Sequence, residues 1–421
     1  MNLEIVSDYN NTRYRLFRHN LLSAFQVKDF RWYWVSVFFS SMSMGVRMLA
    51  QGWLILDITG SPFWVGAAAG VGGAGLVMFG AVGGTIVDRF DKKMVLCVLY
   101  VFGATVIITI GLLVIYDRIA LWHILLGAFF QGIVMAAQQP AVNSIAHQLV
   151  GSSRLLNAMA ARLMAMNMSR IIGSVIAGYL IYRFGIGSSY IFAACCSIVG
   201  LWFLYFVKVE STILGVVANQ SFWFSTKQGI RYIFTRKSIR ELLLLSLIME
   251  AFGFSHLIIL PVVAKDVLFV DAMGLGILSA ASGVGATVST LLVAFLGDFK
   301  YKSLLLVITA IFAGVGLVLF AFSSWFILST ILVAWVGGSL MAYDVTMGTM
   351  IQLSSKEEMR GRVLGVYGLT FGFTPVGGFF MGWISSLFSA PIAIATGGAV
   401  SYTHLRAHET RHDLVCRLLL E

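Results

Sequence analysis

The sequence predicts an all-α polytopic membrane protein, and three observations carry that class. The first is composition. Hydrophobic residues make up 59% of the 421 and charged residues 11%, with a mean hydropathy of +0.89. Soluble domains carry about a quarter charged residues, and even a large one leaves much of its surface wet, so lipid is the solvent here. The second is a succession of apolar runs long enough to cross about 30 Å of hydrocarbon as helix. The third is the sidedness of the basic residues between those runs.

The runs fall at 33–56, 62–87, 94–116, 119–139, 157–182 and 187–207, then at 241–264, 274–297, 303–323, 325–352 and 362–388. They are the first to eleventh spans below. A twelfth begins at Pro391 and loses its apolar character around Val400. Residues 1–29 are polar, with no apolar core bounded by a cleavage site, which argues against a cleaved signal peptide. Within them Leu16, Phe17, Leu21, Leu22 and Phe25 have the spacing of a short amphipathic helix on the membrane face. Glycine is abundant at 43 and proline rare at 5, as suits closely packed membrane helices. Cys97, Cys195, Cys196 and Cys416 have no ligand-like spacing, so neither a structural disulfide nor a metal is expected.

The net charge of +10 reads as topology and not as nucleic-acid binding. With the N-terminus in the cytoplasm, that face receives Arg13, Arg15, Arg18, Arg89, Lys92, Lys93, Arg154, Lys300, Lys302, Lys356, Arg360 and Arg362, among others. The opposite face keeps Arg118, Arg183 and Lys265. Excess Lys and Arg in cytoplasmic loops sets orientation, so the N-terminus is expected inside.

Residues 208–240 are the one long polar interruption, with Phe222, Trp223, Phe224, Ile230, Ile233 and Phe234 set among basic residues. That pattern predicts an interfacial helix tethering two halves to the inner leaflet. The chain thus divides into a cytoplasmic segment 1–29, a six-helix bundle 30–207, a linker 208–240, a second bundle 241–399 and a tail 400–421. The halves echo one another. Gly83 to Arg89 ends the second span as Phe295 to Lys300 ends the eighth, and Gly173 to Gly178 in the fifth matches Thr374 to Gly378 in the eleventh. Offsets of about 200 residues suit two six-helix repeats with a binding site between them.

Gly84-Thr85-Ile86-Val87-Asp88-Arg89-Phe90-Asp91-Lys92-Lys93 resembles the loop signature of the major facilitator superfamily, Gly-x-x-x-Asp-Arg-x-Gly-Arg/Lys-Arg/Lys, with Asp91 where Gly is usual. Further stretches resemble the bacterial branch of enterobactin exporters and macrolide-efflux proteins: Arg47 to Leu54, Thr59 to Pro62, Leu260 to Leu268, and Arg360 to Val363. The resemblance implies the major-facilitator fold of two six-helix bundles, in a multi-pass protein of the bacterial cytoplasmic (inner) membrane. It implies a secondary transporter, not an enzyme, exporting small amphipathic molecules of drug or siderophore type by proton antiport with alternating access. The implied partners are a small-molecule substrate, protons and the bilayer, with no cofactor and a monomeric state. An uptake symporter of the same fold, or a non-transporting membrane sensor or assembly partner, are the alternatives. The nucleotide loop Gly-x-x-x-x-Gly-Lys-Ser/Thr does not occur, which argues against ATP-driven transport.

Candidate site residues follow from charge inside the bilayer. Ser36, Ser40, Ser43, Arg47 and Gln51 lie on one face of the first span, and a mid-membrane charge such as Arg47 costs at least ~2.5 kcal/mol unless partnered. Ser61 and Pro62 read as the N-cap and first turn of the second span, which puts Asp57 at an outer gate. Arg162, Arg170, Glu250 and Asp344 lie at mid-membrane depth, with His256 shallower. Buried carboxylates facing arginines could be static ion pairs or a proton site. The substrate or proton pathway is therefore expected at Arg47, Gln51, Asp57, Glu250 and Asp344. A cytoplasmic gate is expected at Gly84, Asp88, Arg89, Lys92 and Lys93, Asp88 facing the positive end of the eleventh span. Arg170, Gly173, Gly178, Pro375, Gly377 and Gly378 form a helix-packing motif. Ala128 stands where the superfamily's fourth-helix signature has Arg, and Ser174 and Ala177 replace Pro and Gly of the exporter motif. Gln138, Gln139 and Asn143 read as polar contacts or a helix-ending turn.

The tail carries a separate expectation. Val400 to Glu409 can be back-translated as GTC TCT TAT ACA CAT CTC CGA GCC CAC GAG, a transposon end of shotgun sequencing libraries, and Leu414 to Glu421 back-translate to the flow-cell end of the same adapter. Residues 400–421 are thus expected to be non-native, the twelfth helix truncated, and the tail poorly packed.

Overall fold

The computed structural model describes residues 23–209, 222–296, 299 and 301–409. Among these there are helices and no strand. The first half comprises Lys28–Thr59, Pro62–Arg89, Lys92–Ile115, Leu121–Gly151, Asn157–Phe184 and Ile186–Phe206. The second comprises Lys237–Val267, Ala272–Leu296, Lys302–Ala321, Phe326–Ser354, Met359–Leu387 and Ala390–Glu409. Ten of these helices are long and apolar enough to cross a bilayer. The first, 32 residues long, is not among the ten, because its polar stripe and end charges dilute its hydropathy. Of the twelfth, the described apolar stretch is Ala390–Ser401, shorter than a crossing needs.

Local chemistry sets the joints. Gly60, at φ 60°, ends the first span in the left-handed region that glycine enters without strain, its N–H donating to Leu56 O. Ser61 does occupy the N-cap position, yet its hydroxyl makes no capping bond; Thr59 Oγ1 accepts from the Ser61 N–H instead. Asp91 caps the third span, its side chain accepting from Met94 N at 2.7 Å. That is a physical use for the residue standing where glycine is usual. The fourth span does not stop at residue 139. It runs through Pro140 to Gly151, where φ 69° marks the break before the fifth. Gln138 donates to Ser40 Oγ, and Gln139 and Asn143 accept from Arg162, so these three are polar contacts.

The linker helix Phe222–Thr235 packs on the start of the eleventh span: a Cβ at Gly229 would lie 3.1 Å from Arg362 O, and Lys356 N donates to the Tyr232 hydroxyl. Of the amphipathic segment expected at Leu16, Phe17, Leu21, Leu22 and Phe25, only Phe25 is among the described residues, on the 3-10 turn Ser23–Gln26 and edge-on to Phe30 and Trp34; the other four lie outside them. The twelfth helix continues to Glu409. Ser401 is buried and donates to Gly397 O of its own helix, so the packing expected to fail at residue 400 persists at least that far. The rest of the predicted tail lies outside the described side chains.

The halves meet chiefly through two helix pairs, second with eleventh and fifth with eighth, and the first span also touches the seventh, where a Gly52 Cβ would lie 2.8 Å from Pro261 Cγ. At the end of the molecule marked by Asp57 and Pro62 their backbones touch. A methyl at Gly66 would sit 2.5 Å from Gly378 O, one at Gly73 2.5 Å from Pro375 Cβ, and one at Gly178 2.6 Å from Ala272 O. The same faces part toward the Arg89 end. Gly80, three residues after Val77 on this face of the second span, has nothing within 4 Å of where a Cβ would stand. Gly368, Gly365 and Gly361 of the eleventh are likewise open. On the fifth span, Arg170 and Ile171 touch Gly283 of the eighth, but Leu163 and Met164, seven residues earlier on that face, are exposed. The molecule is closed at one end and open at the other.

One ion pair among the described residues bridges the halves, and it lies at the closed end. Lys265 Nζ stands 3.3 Å from Asp57 Oδ1 and over the Trp53 ring at 5.8 Å. Trp53 and Asp57 are one helical turn apart, so Lys265 is gripped from two levels of the first span.

Two outcomes are expected. In a background without native cysteines, Gly70→Cys with Phe379→Cys will form a disulfide on mild oxidation, because a Gly70 Cβ would stand 3.3 Å from Phe379 Cβ. Gly80→Cys with Gly365→Cys will not, and a reductant-sensitive gel shift reads both. Lys265→Gln will slow that closed-end cross-link by a factor worth no more than ~1 kcal/mol, since both partners are partly exposed. High salt will erase the difference between Lys265→Gln and the parent.

Candidate functional site

The polar centre of the second half is built on a broken helix. The seventh span is α-helical from Lys237 to Ile248, turns as a π-helix over Met249–Gly253, and tightens to a 3-10 turn over Phe254–Leu257. Wide turns of this kind concentrate at functional sites. Glu250 sits on the π turn and is 3% exposed. Its Oε2 accepts from the Thr374 hydroxyl at 2.5 Å. Ser255, on the tight turn, donates to Ala251 O at 2.6 Å and reaches Thr374 O. The break brings the two helices together: a Cβ at Gly377 would lie 1.7 Å from Ala251 O, so only glycine fits between the seventh and eleventh spans.

Asp344, on the tenth span, is the second carboxylate. It accepts from the Tyr367 hydroxyl, and Tyr367 O accepts from Thr370, which in turn exchanges a 3.1 Å hydrogen bond with Ser246. Glu250 and Asp344 lie within electrostatic reach of each other and share the buried Tyr343 as a neighbour. The structure thus gathers two acids and a set of hydroxyls from three spans. No arginine bonds either carboxylate among the described residues, and the expected facing of acids by arginines is not formed. Hydroxyls serve a carboxyl group in both of its states, donating to the anion and accepting from the acid. Tyr367, Thr370 and Thr374 were not singled out from the sequence. Their spacing of three and four residues places them on one helix face, a signal that was there to be read.

Three arginines lie inside the first half, and two of them are held by neutral groups. Arg162 Nη1 donates to Asn143 Oδ1 at 2.6 Å and its other Nη to Gln139 Oε1. Arg47 Nη1 donates to Gln51 Oε1 at 2.9 Å, so these two predicted pathway residues bond one another. They share a face with Ser36 and Ser43, which bond Gly200 O and Ser197 of the sixth span. Arg170 has no hydrogen-bond partner on Nε. Of the packing motif, Gly173 lies against Met42 and Val46 of the first span and Gly178 against the eighth; Pro375 and Gly378 meet Gly73 and Gly66 of the second.

At the loop after the second span, Arg89 is exposed and Gly84 half-buried. Lys92 is half-buried at the head of the third span. Lys93 Nζ caps the end of the sixth span, donating to Tyr205 O at 2.9 Å and Val207 O at 2.7 Å. The Asp88 side chain lies outside the described residues. His256 is fully buried, with Nδ1 2.7 Å from Gly253 O and Nε2 unpartnered.

With this geometry in place, the chain can be set beside known proteins. The staphyloferrin A transporter of Staphylococcus aureus is 20% identical over 361 residues, covering 85% of this chain and 90% of the relative. The enterobactin exporter EntS of Shigella flexneri is 23% identical over 348 residues, 80% of each. Among solved structures, the nucleoside transporter NupG superposes with a TM-score of 0.75 at 15% identity, covering 92% of this chain and 99% of that one. A bacterial homologue of the lysosomal transporter Spinster, in an inward-facing and unoccupied conformation, gives 0.72 at 13% identity, covering 93% and 97%. These likenesses show the fold. The family described as transmembrane secretion effector matches residues 20–409, nearly the whole chain, and the protein belongs to that family of major facilitator transporters.

Proposed function

We propose that this multi-pass bacterial membrane protein exports small amphipathic molecules, of drug or siderophore type, from the cytoplasm in exchange for protons. The observation that carries the reading is the interface between the halves. It is sealed by glycine contacts at the Asp57 end and parted at the Arg89 end, beside one buried and one half-buried carboxylate that no cation bonds among the described residues. The basic loops cluster at the parted end, so by charge bias that end faces the cytoplasm. The structure is then the cytoplasm-open member of an alternating pair, and its cargo enters from inside. Two siderophore transporters among the relatives, one of them an exporter, agree with cargo of that class.

In this reading Glu250 and Asp344 carry the proton. Taking up or releasing one changes the buried charge beside the π turn, and with it the contact of the seventh and eleventh spans at Gly377. Arg47 and Gln51 stiffen the first span, while Asp57 with Lys265 latches the outer end. Gly84, Asp88, Arg89, Lys92 and Lys93 form the cytoplasmic gate, which closes when Asp88 meets the positive end of the eleventh span.

The test uses everted vesicles energised with a proton gradient, against a panel of siderophores and antibiotics. Accumulation driven by an inside-acid gradient supports export; uptake into right-side-out vesicles would replace it with symport. Glu250→Gln and Asp344→Asn should each lower gradient-driven transport by about tenfold or more, a change of ~1.4 kcal/mol, while leaving the protein inserted. Normal transport by both across several pH values would make the carboxylates structural. Asp88→Asn should also impair transport at unchanged expression, and unaltered rates would reduce Asp88 to a turn residue.

A further inference from the structure

Between Lys28 and Val207 the acidic residues are Asp29, Asp57, Asp88, Asp91 and Asp117, each at or within a turn of a helix end. The membrane interior of the first half therefore holds Arg47, Arg162 and Arg170 with no carboxylate among them. A charge at such depth costs at least ~2.5 kcal/mol without a partner, and the three are not equally provided for. Arg47 rests on one amide oxygen and Arg162 on two. Arg170 has no acceptor among the described residues: its Nε is buried and unpartnered, and no acidic group lies in electrostatic reach.

Its position is distinctive. Arg170 stands where the halves part, its Nε 3.5 Å from where a Gly283 Cβ would be, with Gly45 behind its backbone. Toward the closed end the fifth and eighth spans are in backbone contact, and toward the open end the face carrying Leu163 is exposed. The charge is thus at the apex of the opening. Across the interface, His256 lies within its electrostatic reach. Nδ1 of His256 donates to Gly253 O, which leaves Nε2 as a neutral lone pair and supplies no counter-charge.

We propose that Arg170 is the docking point for an anionic oxygen of the cargo, a carboxylate or phenolate, which its planar guanidinium receives in a charge-assisted hydrogen bond. The inference rests on the opening being the cargo path, and it narrows the cargo to amphipathic anions. The acids and hydroxyls of the second half lie on other spans, so the opening is bipolar: cationic on the first half, proton-bearing on the second.

The test is photolabelling of the full chain in lipid nanodiscs with 4-benzoylbenzoate and with its neutral amide, 4-benzoylbenzamide, mapped by mass spectrometry. The carboxylate should label peptides around Arg170 at least about tenfold more than the amide. Arg170→Gln should bring the two within about twofold, whereas Arg162→Gln should keep the preference. Equal labelling in the unaltered protein overturns the proposal, as does a preference that survives Arg170→Gln. Should that variant fail to fold, the map on the unaltered protein decides alone: carboxylate labelling confined to other spans refutes the docking point. The measurement needs neither gradient nor turnover, so a failure of proton-driven export leaves its outcome intact, and the reverse holds equally.

Discussion

Close approach of backbones across the interface is the contact on which the rest of this structure depends. In lipid, apolar side chains gain nothing by leaving the solvent, so helices must bind through van der Waals packing. Gly66, Gly73 and Gly178 bring the second and fifth spans against the eleventh and eighth, at distances where a single methyl would collide. Such contacts are short-ranged and nearly free of directional chemistry. They can be made and broken as units, and the molecule shows both conditions at once along one helix face.

That arrangement explains the irregular seventh span. Gly377 lies against Ala251 O and Ser255 Oγ, at the junction of that span's wide and tight turns. The π turn at Met249–Gly253 followed by the 3-10 turn loosens and then tightens the ladder, and the hydroxyl of Ser255 takes up carbonyls that the change leaves exposed. The carboxyl of Glu250 sits on the loosened turn. The carboxyl and the helix contact at Gly377 are thus neighbours, with Thr374 of the eleventh span bonded to Glu250.

Electrostatics divides the molecule between its halves. Arginines occupy the interior of the first, Arg47 and Arg162 held by amide oxygens of Gln51, Gln139 and Asn143 and Arg170 by none among the described residues. Carboxylates occupy the second, held by hydroxyls of Thr374 and Tyr367. Neutral partners of this kind support a charge without cancelling it. Direct pairing of arginine with acid would have neutralised both and pinned the halves together, whereas the ion pair that crosses between them among the described residues, Asp57 with Lys265, lies partly exposed at the closed end, where breaking it costs little.

Much of this was legible in the residues. Run length and apolar composition determined the spans, and the placement of Lys and Arg determined the expected orientation, because both depend on the free energy of each residue in lipid and not on its neighbours. The depth of Glu250, Asp344 and Arg170 followed from the same counting. Partners did not. Which oxygen receives Arg162, that Asp91 caps a helix, that Lys93 closes the sixth span, and that Arg47 bonds Gln51 depend on rotamers and on helices far apart in sequence. The hydroxyl face of Tyr367, Thr370 and Thr374 gained meaning only once a π turn had placed Glu250 beside it. Helical periodicity says which residues share a face; packing in three dimensions decides what that face meets.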